Sequence, residues 1–525
     1  MYAVAALFLN SVVVPLAAQQ SSTKHYHYQL IDMGTLGGPS SYFNSLFLTD
    51  VFGFPSMAYG ISKVRNPRGT FVGFADTPVP DPFPSFCYVP DCFVTHAFQW
   101  NDGAVSDLGA LPGGGSSAAF WINASGDIVG GSENGETDPV LPGLPELRAV
   151  VWSNSNITDL GTLGGSHSFA QSINDHGQIT GIALNNVTDS FSFFYQFFYC
   201  LPFGLCPSNA TETRGFVWDE KDGMVDIGTL GGPDNFPAVI NNRGQVAGFA
   251  YTNSSPNPYP PFLPTYHPYL WDKRHGMKDL GSFGGDAASV NGLNERGEVV
   301  GGDYFAGDTQ LHPFLWNGKK FLDLTAPPFA WDGNGEANWI NEAGEVVGNA
   351  GLDLSCDGVN TDFHAFLWTK GVMSDLGHVA GEADSRADFI NSLTQVVGVS
   401  FPCDFSFSTA FLWENGSIVD LNTLVPPNSP LSLFWAPFID DEGVIGAFGS
   451  LANGDMHVAL LIPCDENHPG IEGCDYSLVD ASTAVAAHFV PPPASPINNR
   501  SPFGLQSRLP GLLMRNRLTR LQLQK

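Results

Sequence analysis

Lysine and arginine are the scarce residues of this chain: 22 of them stand against 52 Asp and Glu, a formal net charge of -30 over 525 residues. Nucleic acid and anionic lipid surfaces are bound chiefly by excess positive charge, so both are excluded as partners. Charge of either sign is thin, at 14% of all residues. No stretch of useful length has helical periodicity, which excludes a helix bundle. GxSxG, HExxH and Walker loops are all missing, as is any CxxC with His at ligand spacing, so the common hydrolase, nucleotide and zinc signatures do not occur. No cofactor and no metal is expected. Beyond the first 22 residues nothing is long and apolar enough to span a bilayer.

What is present supports a large, turn-rich fold. Hydrophobic residues make up 43% and aromatic residues 12%, ample for a sizeable core. The opening stretch 1–22, MYAVAALFLNSVVVPLAAQQSS, is apolar and ends in small residues around Ala17 and Ala18. It reads as a secretory signal, although no Lys or Arg precedes Lys24. The cysteines fall as Cys87 and Cys92, Cys200 and Cys206, Cys356 and Cys403, Cys464 and Cys474. An even count behind an export signal marks all of them as disulfide candidates in an oxidising, extracellular setting.

A repeat organises the rest. A strand-like pentapeptide recurs as HAFQW (96–100), RAVVW, RGFVW, HPYLW, HPFLW, HAFLW (364–368) and TAFLW, with a weaker copy, HVALL, at 457–461. Each of the seven strong copies is followed by a polar turn and a segment ending in Asp: Asp107, Asp159, Asp226, Asp279, Asp323, Asp375 and Asp420. A segment closing on Ile-Asn-x-x-Gly comes third, and a short apolar run ending in Gly, such as QVAG, comes fourth. Short Val-, Ile- and Phe-rich runs separated by Gly, Asn and Asp are antiparallel strands. Successive Trp residues sit 45 to 66 residues apart, and the shortest spacing matches a four-stranded propeller blade.

The two ends complete each other. YQLIDMG (28–34) supplies an Asp-containing strand with no HAF-type partner, followed by AYGIS (58–62) and TFVG, and the last copy lacks that strand. The expected fold is all-β: an eight-bladed β-propeller of four-stranded antiparallel blades over 28–462, its ring closed by the N-terminal strand. Closure removes the unpaired sheet edges. Residues 463–480 read as a Cys-closed loop and 481–525 as a basic, Pro-rich, disordered tail. In the tail six basic residues and no acid leave -36 on residues 1–480, which suggests a latch onto the acidic propeller or an anionic polymer.

The repeat resembles the HAF family of extracellular repeat proteins, whose His-Ala-Phe triplet stands here at 96–98 and 364–366. The resemblance spans residues 28–462 and implies an exported protein with no agreed enzymatic activity. Arg148, Arg214 and Thr409 depart from it where His is expected. The strand order is also similar to that of WD-repeat propellers.

Each repeated residue has a structural reading. The turn Asn and Gly suit a hairpin, the Trp series fills space between blades, and His96, His267, His312 and His364 can bridge to the repeat carboxylates. Function is then sought in what does not repeat. The insertions 74–95, 131–147, 182–213, 249–266, 302–311, 349–363 and 399–408 all fall on one face of an up-and-down meander, and long loops carry function. Their register places Cys356 and Cys403 in the same loop of adjacent blades. The stapled insert 190–213 is dense in Phe and Tyr. Phe194, Tyr195, Phe197, Phe198 and Tyr199, with Tyr251, Tyr259 and Tyr266 of the next insertion, are the candidate ligand-binding residues, a recognition surface or else a plug over the propeller mouth. Asp353, Asp357, Asn360 and Asp362 are oxygen ligands of the kind calcium takes, without EF-hand spacing. Glu133, Glu136, Asp138, Asp303 and Asp308 are the insertion carboxylates from which a glycosidase pair could be drawn. The sequence reads as a secreted, monomeric propeller binding an extracellular glycan or protein through the long-loop face. A carbohydrate-active enzyme using loop carboxylates, or a purely structural surface protein, is the alternative.

Overall fold

The four repeated segments form four strands that pair in chain order, and the repeats close into a ring. In the computed structural model described here, residues 24–43, 63–83, 91–200, 204–258, 262–308, 310–325, 335–352, 356 and 362–480 are the described ones. Expectations for the signal 1–22, AYGIS, Cys87, Tyr259, Asp353, Asp357, Asn360 and the tail 481–525 lie outside them. The fold is an all-β propeller of eight antiparallel blades. Blade 1 runs over 41–107, and blades 2–7 over 117–159, 168–226, 235–279, 284–323, 336–377 and 384–420. Blade 8 takes 432–463 and receives Tyr28–Asp32 as its outer strand, paired with Ala459 to Pro463. Blade 5 splits its inner strand into Gly284–Ala288 and Gly292–Leu293.

The innermost strand ends in the Ile-Asn-x-x-Gly turn, and it carries a β-bulge in most blades, for example between Ala119 and Trp121. The bulge presses the inner strand onto its neighbour. A Cβ on Gly130, Gly181, Gly348 or Gly398 would lie 1.9 to 2.0 Å from the inner strand's carbonyl oxygen, so the Gly that closes the second strand is needed for close approach. The turn Gly is different: Gly177 and Gly244 stand at φ 74 and 71, a left-handed backbone that Gly adopts without strain.

Three repeated contacts hold blade to blade. The turn Asn closes its own hairpin, as Asn174 Oδ1 accepts from His176 N at 3.1 Å and Gln178 N at 2.9 Å. Its Nδ2 then reaches the next blade. Asn123 donates to Asn174 O (3.2 Å), Asn174 to Asn241 O (2.9 Å), Asn241 to Asn294 O (3.0 Å) and Asn294 to Asn341 O (3.2 Å). Asn341 donates to Asn391 O (3.0 Å) and Asn391 to Asp440 O (2.8 Å). The eighth position is Asp440, which has no amide to donate, and there the Arg65 guanidinium pairs with the Asp440 carboxylate to return the chain of contacts to blade 1. A second contact sits at the start of the inner strand. Ser117, Ser168 and Ser385 accept through Oγ from Ala97, Ala149 and Ala365 N of the preceding blade, at 2.9, 2.9 and 2.8 Å.

The third contact explains the repeated His and Asp. His96, His267, His312, His364 and His457 bring Nδ1 to Asp107, Asp279, Asp323, Asp375 and Asp32 at 2.8 to 3.2 Å. On the other side Nε2 of His96, His364 and His457 faces the carbonyl oxygens of Gly115, Ala383 and Pro39. At His364 and His457 the carboxylate on one side and the carbonyl on the other outweigh burial and raise the imidazole, favouring the form that donates from both nitrogens. Arg214 makes the same two donations, Nε to Asp226 at 2.9 Å and Nη1 to Pro233 O at 2.8 Å. Arg148 turns instead to Glu146, and Thr409 bonds Glu382.

Candidate functional site

The insertions are built as extensions of the blades. In blade 1 Phe71–Pro80 pairs with Phe93–Asn101; in blade 2 Ile128–Thr137 with Pro145–Ser153; in blade 3 Ile179–Thr188 with Thr211–Asp219; in blade 4 Val246–Pro256 with Pro264–Asp272. All four rise on the long-loop face, beyond a register shift such as Glu133/Thr137. Their tips expose apolar side chains: Val79 is 53%, Val187 50% and Phe262 54% exposed. Phe262 also holds a left-handed backbone, φ 62, which is costly for a bulky residue. The opposite face carries the tight turns.

Of the two readings of the aromatic insert, the exposed ring surface is not what forms: most of its rings pack inward. Phe193–Tyr195 and Gln196–Cys200 make a short irregular helical segment, closed by the Cys200–Cys206 disulfide. Phe194, Tyr195, Phe197, Tyr251 and Tyr266 are all buried. The Phe193 ring fills the space between blades 3 and 4, with centroids 5.3 Å from Phe249, 4.0 Å from Tyr251 and 5.6 Å from Tyr266. Phe194 stacks on His167 at 4.6 Å, and Tyr195 OH donates to Asp138 of blade 2 at 3.1 Å. Burial would raise the Asp138 carboxyl, but His167, whose Nε2 lies 3.4 Å away, and the hydrogen bonds from Val140 N and Tyr195 OH outweigh it and hold the group below its usual range. Of the named rings among the described residues, Phe198 and Tyr199 stay partly exposed. The physical reason is area: rings this large stabilise most when taken out of water, and the extended hairpins give them walls.

The carboxylates singled out from the sequence are dispersed. Glu133 accepts from Gly115 N and Ser116 N at 3.0 Å each, and burial raises its carboxyl. Glu136 is exposed. Asp303 lies on blade 5, where burial pushes it up to about 7, with Asp308 among its electrostatic neighbours. Blades 2 and 5 thus keep the two groups apart. Asp362 accepts from Cys356 N at 3.1 Å. Among the described residues no cluster of three His, Cys, Asp or Glu could hold a metal ion. The register's disulfide is present, Cys356–Cys403 with a Cα–Cα distance of 5.9 Å, as is Cys464–Cys474; Cys92 is also disulfide-bonded.

A site that the sequence reading missed lies on the innermost strands. Counting back five and three residues from each turn Asn gives Ala118 and Phe120, Phe169 and Gln171, Phe236 and Ala238 in blades 2–4. Blades 5–7 carry Ser289 and Asn291, Glu336 and Asn338, Arg386 and Asp388 at the same positions. The later position of one blade meets the earlier position of the next: Phe120 and Phe169 have ring centroids 4.9 Å apart, Asn291 Nδ2 donates to Glu336 at 2.8 Å, and Trp435 Nε1 of blade 8 donates to Asp388 at 2.6 Å. Arg386 Nε donates to Asp388 at 2.8 Å and its guanidinium lies 5.6 Å from the Trp435 ring centre. Burial pushes Glu336 up to about 7, against hydrogen bonds from Ser289 and Asn291. At these two offsets the inner strands are therefore mostly apolar in blades 2–4 and polar in blades 5–7. The available signal was a change from apolar to polar at two fixed offsets from the turn Asn.

No family model matches the chain, and no curated protein matches it significantly. Solved structures match the chain at low similarity. The β-propeller domain of the Trilobed protease from Pyrococcus furiosus is 9% identical, with 65% of this chain and 94% of that chain covered and a TM-score of 0.37. A Mycobacterium tuberculosis puromycin-hydrolyzing peptidase is 11% identical at a TM-score of 0.38, with 79% of this chain and 62% of that chain covered. The Hadza microbial sialidase Hz136 is 9% identical at 0.26, with 65% of this chain and 64% of that chain covered.

Proposed function

We propose that the protein is an exported propeller of the HAF repeat type that binds an extracellular glycan or protein through its long-loop face. One observation carries the reading: four consecutive blades extend their hairpins on the same face, and three of the tips expose Val79, Val187 and Phe262. Apolar tips on rigid strands are the form a recognition surface takes, since they lose little entropy on binding. The Cys200–Cys206, Cys356–Cys403 and Cys464–Cys474 disulfides support an oxidising compartment. No helix among the described residues is long and apolar enough to cross a membrane.

The test is retention of the full chain on a panel of immobilised polysaccharides and extracellular matrix proteins, followed for released products. The triple variant Val79→Asp, Val187→Asp, Phe262→Asp is expected to lose retention with its thermal midpoint unchanged. Retention equal to wild type would overturn the assignment of the face. Released sugar would favour the carbohydrate-active reading instead, with Asp303 and Asp308 as the first carboxylates to substitute.

A further inference from the structure

The strand Lys24–Tyr26 pairs antiparallel with Leu478–Asp480, Lys24 opposite Asp480 and Tyr26 opposite Leu478. Side chains alternate along a strand, so this ribbon has two faces. One is fastened to blade 7: His25 is fully buried, and its Nδ1 lies 2.9 Å from Glu414 Oε1. The other leaves large apolar groups in water, with Tyr26 40% and Leu478 47% exposed. Residues directly opposite across two strands touch, and among the described residues no other two exposed large apolar side chains are paired in this way. Tyr476, two residues before the strand, is exposed as well, and its OH donates to His468 O at 3.0 Å, which ties the ribbon to the Cys464–Cys474 loop.

That loop is acidic. Residues 463–480 hold Asp465, Glu466, Glu472, Asp475 and Asp480 with no Lys or Arg, and Glu466, Glu472 and Asp475 are exposed. The positive or ionisable neighbours are few: His468 lies 2.7 Å from Asp465, His27 lies 3.5 Å from Asp475, and Lys24 stands across from Asp480. The chain that continues from Asp480 has the complementary make-up. Residues 481–525 carry six basic residues and no acid, and 508–525 sets five of those charges among six Leu. The 27 residues from 481 to 507 are linker enough, since a coil of that length spans about 30 Å. Tethering also favours this partner over a free polymer, because a linked segment meets its own module at an effective concentration on the order of millimolar. We infer that residues 508–525 fold back onto this C-terminal module, with Leu side chains over Tyr26, Tyr476 and Leu478 and Arg side chains against Glu466, Glu472 and Asp475. The inference does not rest on the hairpin tips.

The experiment is limited trypsin digestion of the full chain, following cleavage after Arg515, Arg517 and Arg520, with a free peptide of residues 500–525 as the measure of how salt alters the protease. The screening length falls from about 30 Å at 0.01 M salt to about 3 Å at 1 M. At the lower salt the chain should be cut about fivefold or more slowly than the peptide, and at the higher salt the two rates should converge. Substituting Glu466→Gln, Glu472→Gln and Asp475→Asn together should abolish the protection, and Leu478→Ser should reduce it. All four positions are exposed. Should Leu478→Ser fail to fold, Tyr26→Ser takes its place with the same expectation. The inference is overturned if chain and peptide are cut alike at low salt, or if protection survives the triple substitution, which would put the segment elsewhere on the acidic propeller. It is overturned too if protection grows with protein concentration, which would make the occupied module that of a second copy.

Discussion

In blades 1–4 the second strand runs 10 or 11 residues and overhangs the long-loop face; in blades 5–8 it runs six or seven. The first half joins its hairpins by packing, with Phe193 wedged among Phe249, Tyr251 and Tyr266. The second half joins two neighbouring loops covalently, through Cys356–Cys403. On the innermost strands the two offsets from the turn Asn carry mostly apolar residues in blades 2–4 and polar ones in blades 5–7, while blade 1 has Lys63 and blade 8 has Trp435 there. Both halves keep the turn-Asn relay, while the inner-strand Ser and the His or Arg bridge recur in part of each. The difference teaches which positions closure constrains. The turn residues that hand a hydrogen bond to the next blade recur, whereas the hairpin tips and the two inner-strand offsets from the turn Asn diverge, even where Asn291 bonds the next blade.

The sharpest way to break this comparison is to remove the wedge. Phe193→Ala deletes a fully buried ring that touches four others, and a cavity of that kind costs about 3–5 kcal/mol. Phe198→Ala, partly exposed in the same insert, should cost less than about 1 kcal/mol. Urea unfolding midpoints measure both, and equal losses would mean that the insert is not the packing element of the first half. The shared relay gives a smaller effect that should be the same on both sides. Asn174→Ala in blade 3 and Asn341→Ala in blade 6 each lose two turn bonds, one side-chain bond and the bond to the next blade. Each should destabilise by about 1–3 kcal/mol. A large difference between them would show that the halves are not closed by the same device.

Much of the fold was legible because it repeats. Seven Asp-terminated strands and an orphan at 28–34 were enough to foresee the closing strand, and a common register was enough to pair Cys356 with Cys403. The His-to-carboxylate bridge was foreseen for the same reason. What stayed hidden involves the third dimension or a change of chemistry. The turn Asn looked fully accounted for by its own hairpin, so its donation to the next blade had no separate signal. Arg214 looked like a departure from His, though a guanidinium offers the same pair of donors in the same direction. The run from Phe193 to Tyr199 could have been a surface or a plug, and only the length of the neighbouring hairpins decides between them. The polar inner-strand positions escaped because their signal lies outside the repeat: Asn291, Glu336, Asn338, Arg386 and Asp388 do not recur.

The smallest expected effect distinguishes His from Arg in the bridge. Burial opposes charge on His364, but the hydrogen bond and charge of Asp375, with Ala383 O behind, outweigh it and raise the imidazole above its usual value. Burial likewise opposes charge on Asp375, and His364 outweighs it and lowers that carboxyl. Asp384 and His378 are the other titratable neighbours of this pair. A raised His stabilises fully below its unfolded value, near 6.5, and that contribution is lost as pH rises through the folded value. A lowered Asp stabilises above about 3.8, and that contribution is lost as pH falls through its folded value. Stability from the pair is therefore greatest between those two limits and declines on the alkaline side. Arg214, in the same position of blade 3, keeps its charge throughout. His364→Arg should flatten the alkaline decline and Arg214→His should introduce one. With Asp375 38% exposed, each change is worth a fraction of about 1 kcal/mol. Unfolding midpoints taken from pH 5 to 9 measure the slope, and parallel curves for wild type and His364→Arg would mean that the bridge carries no charge.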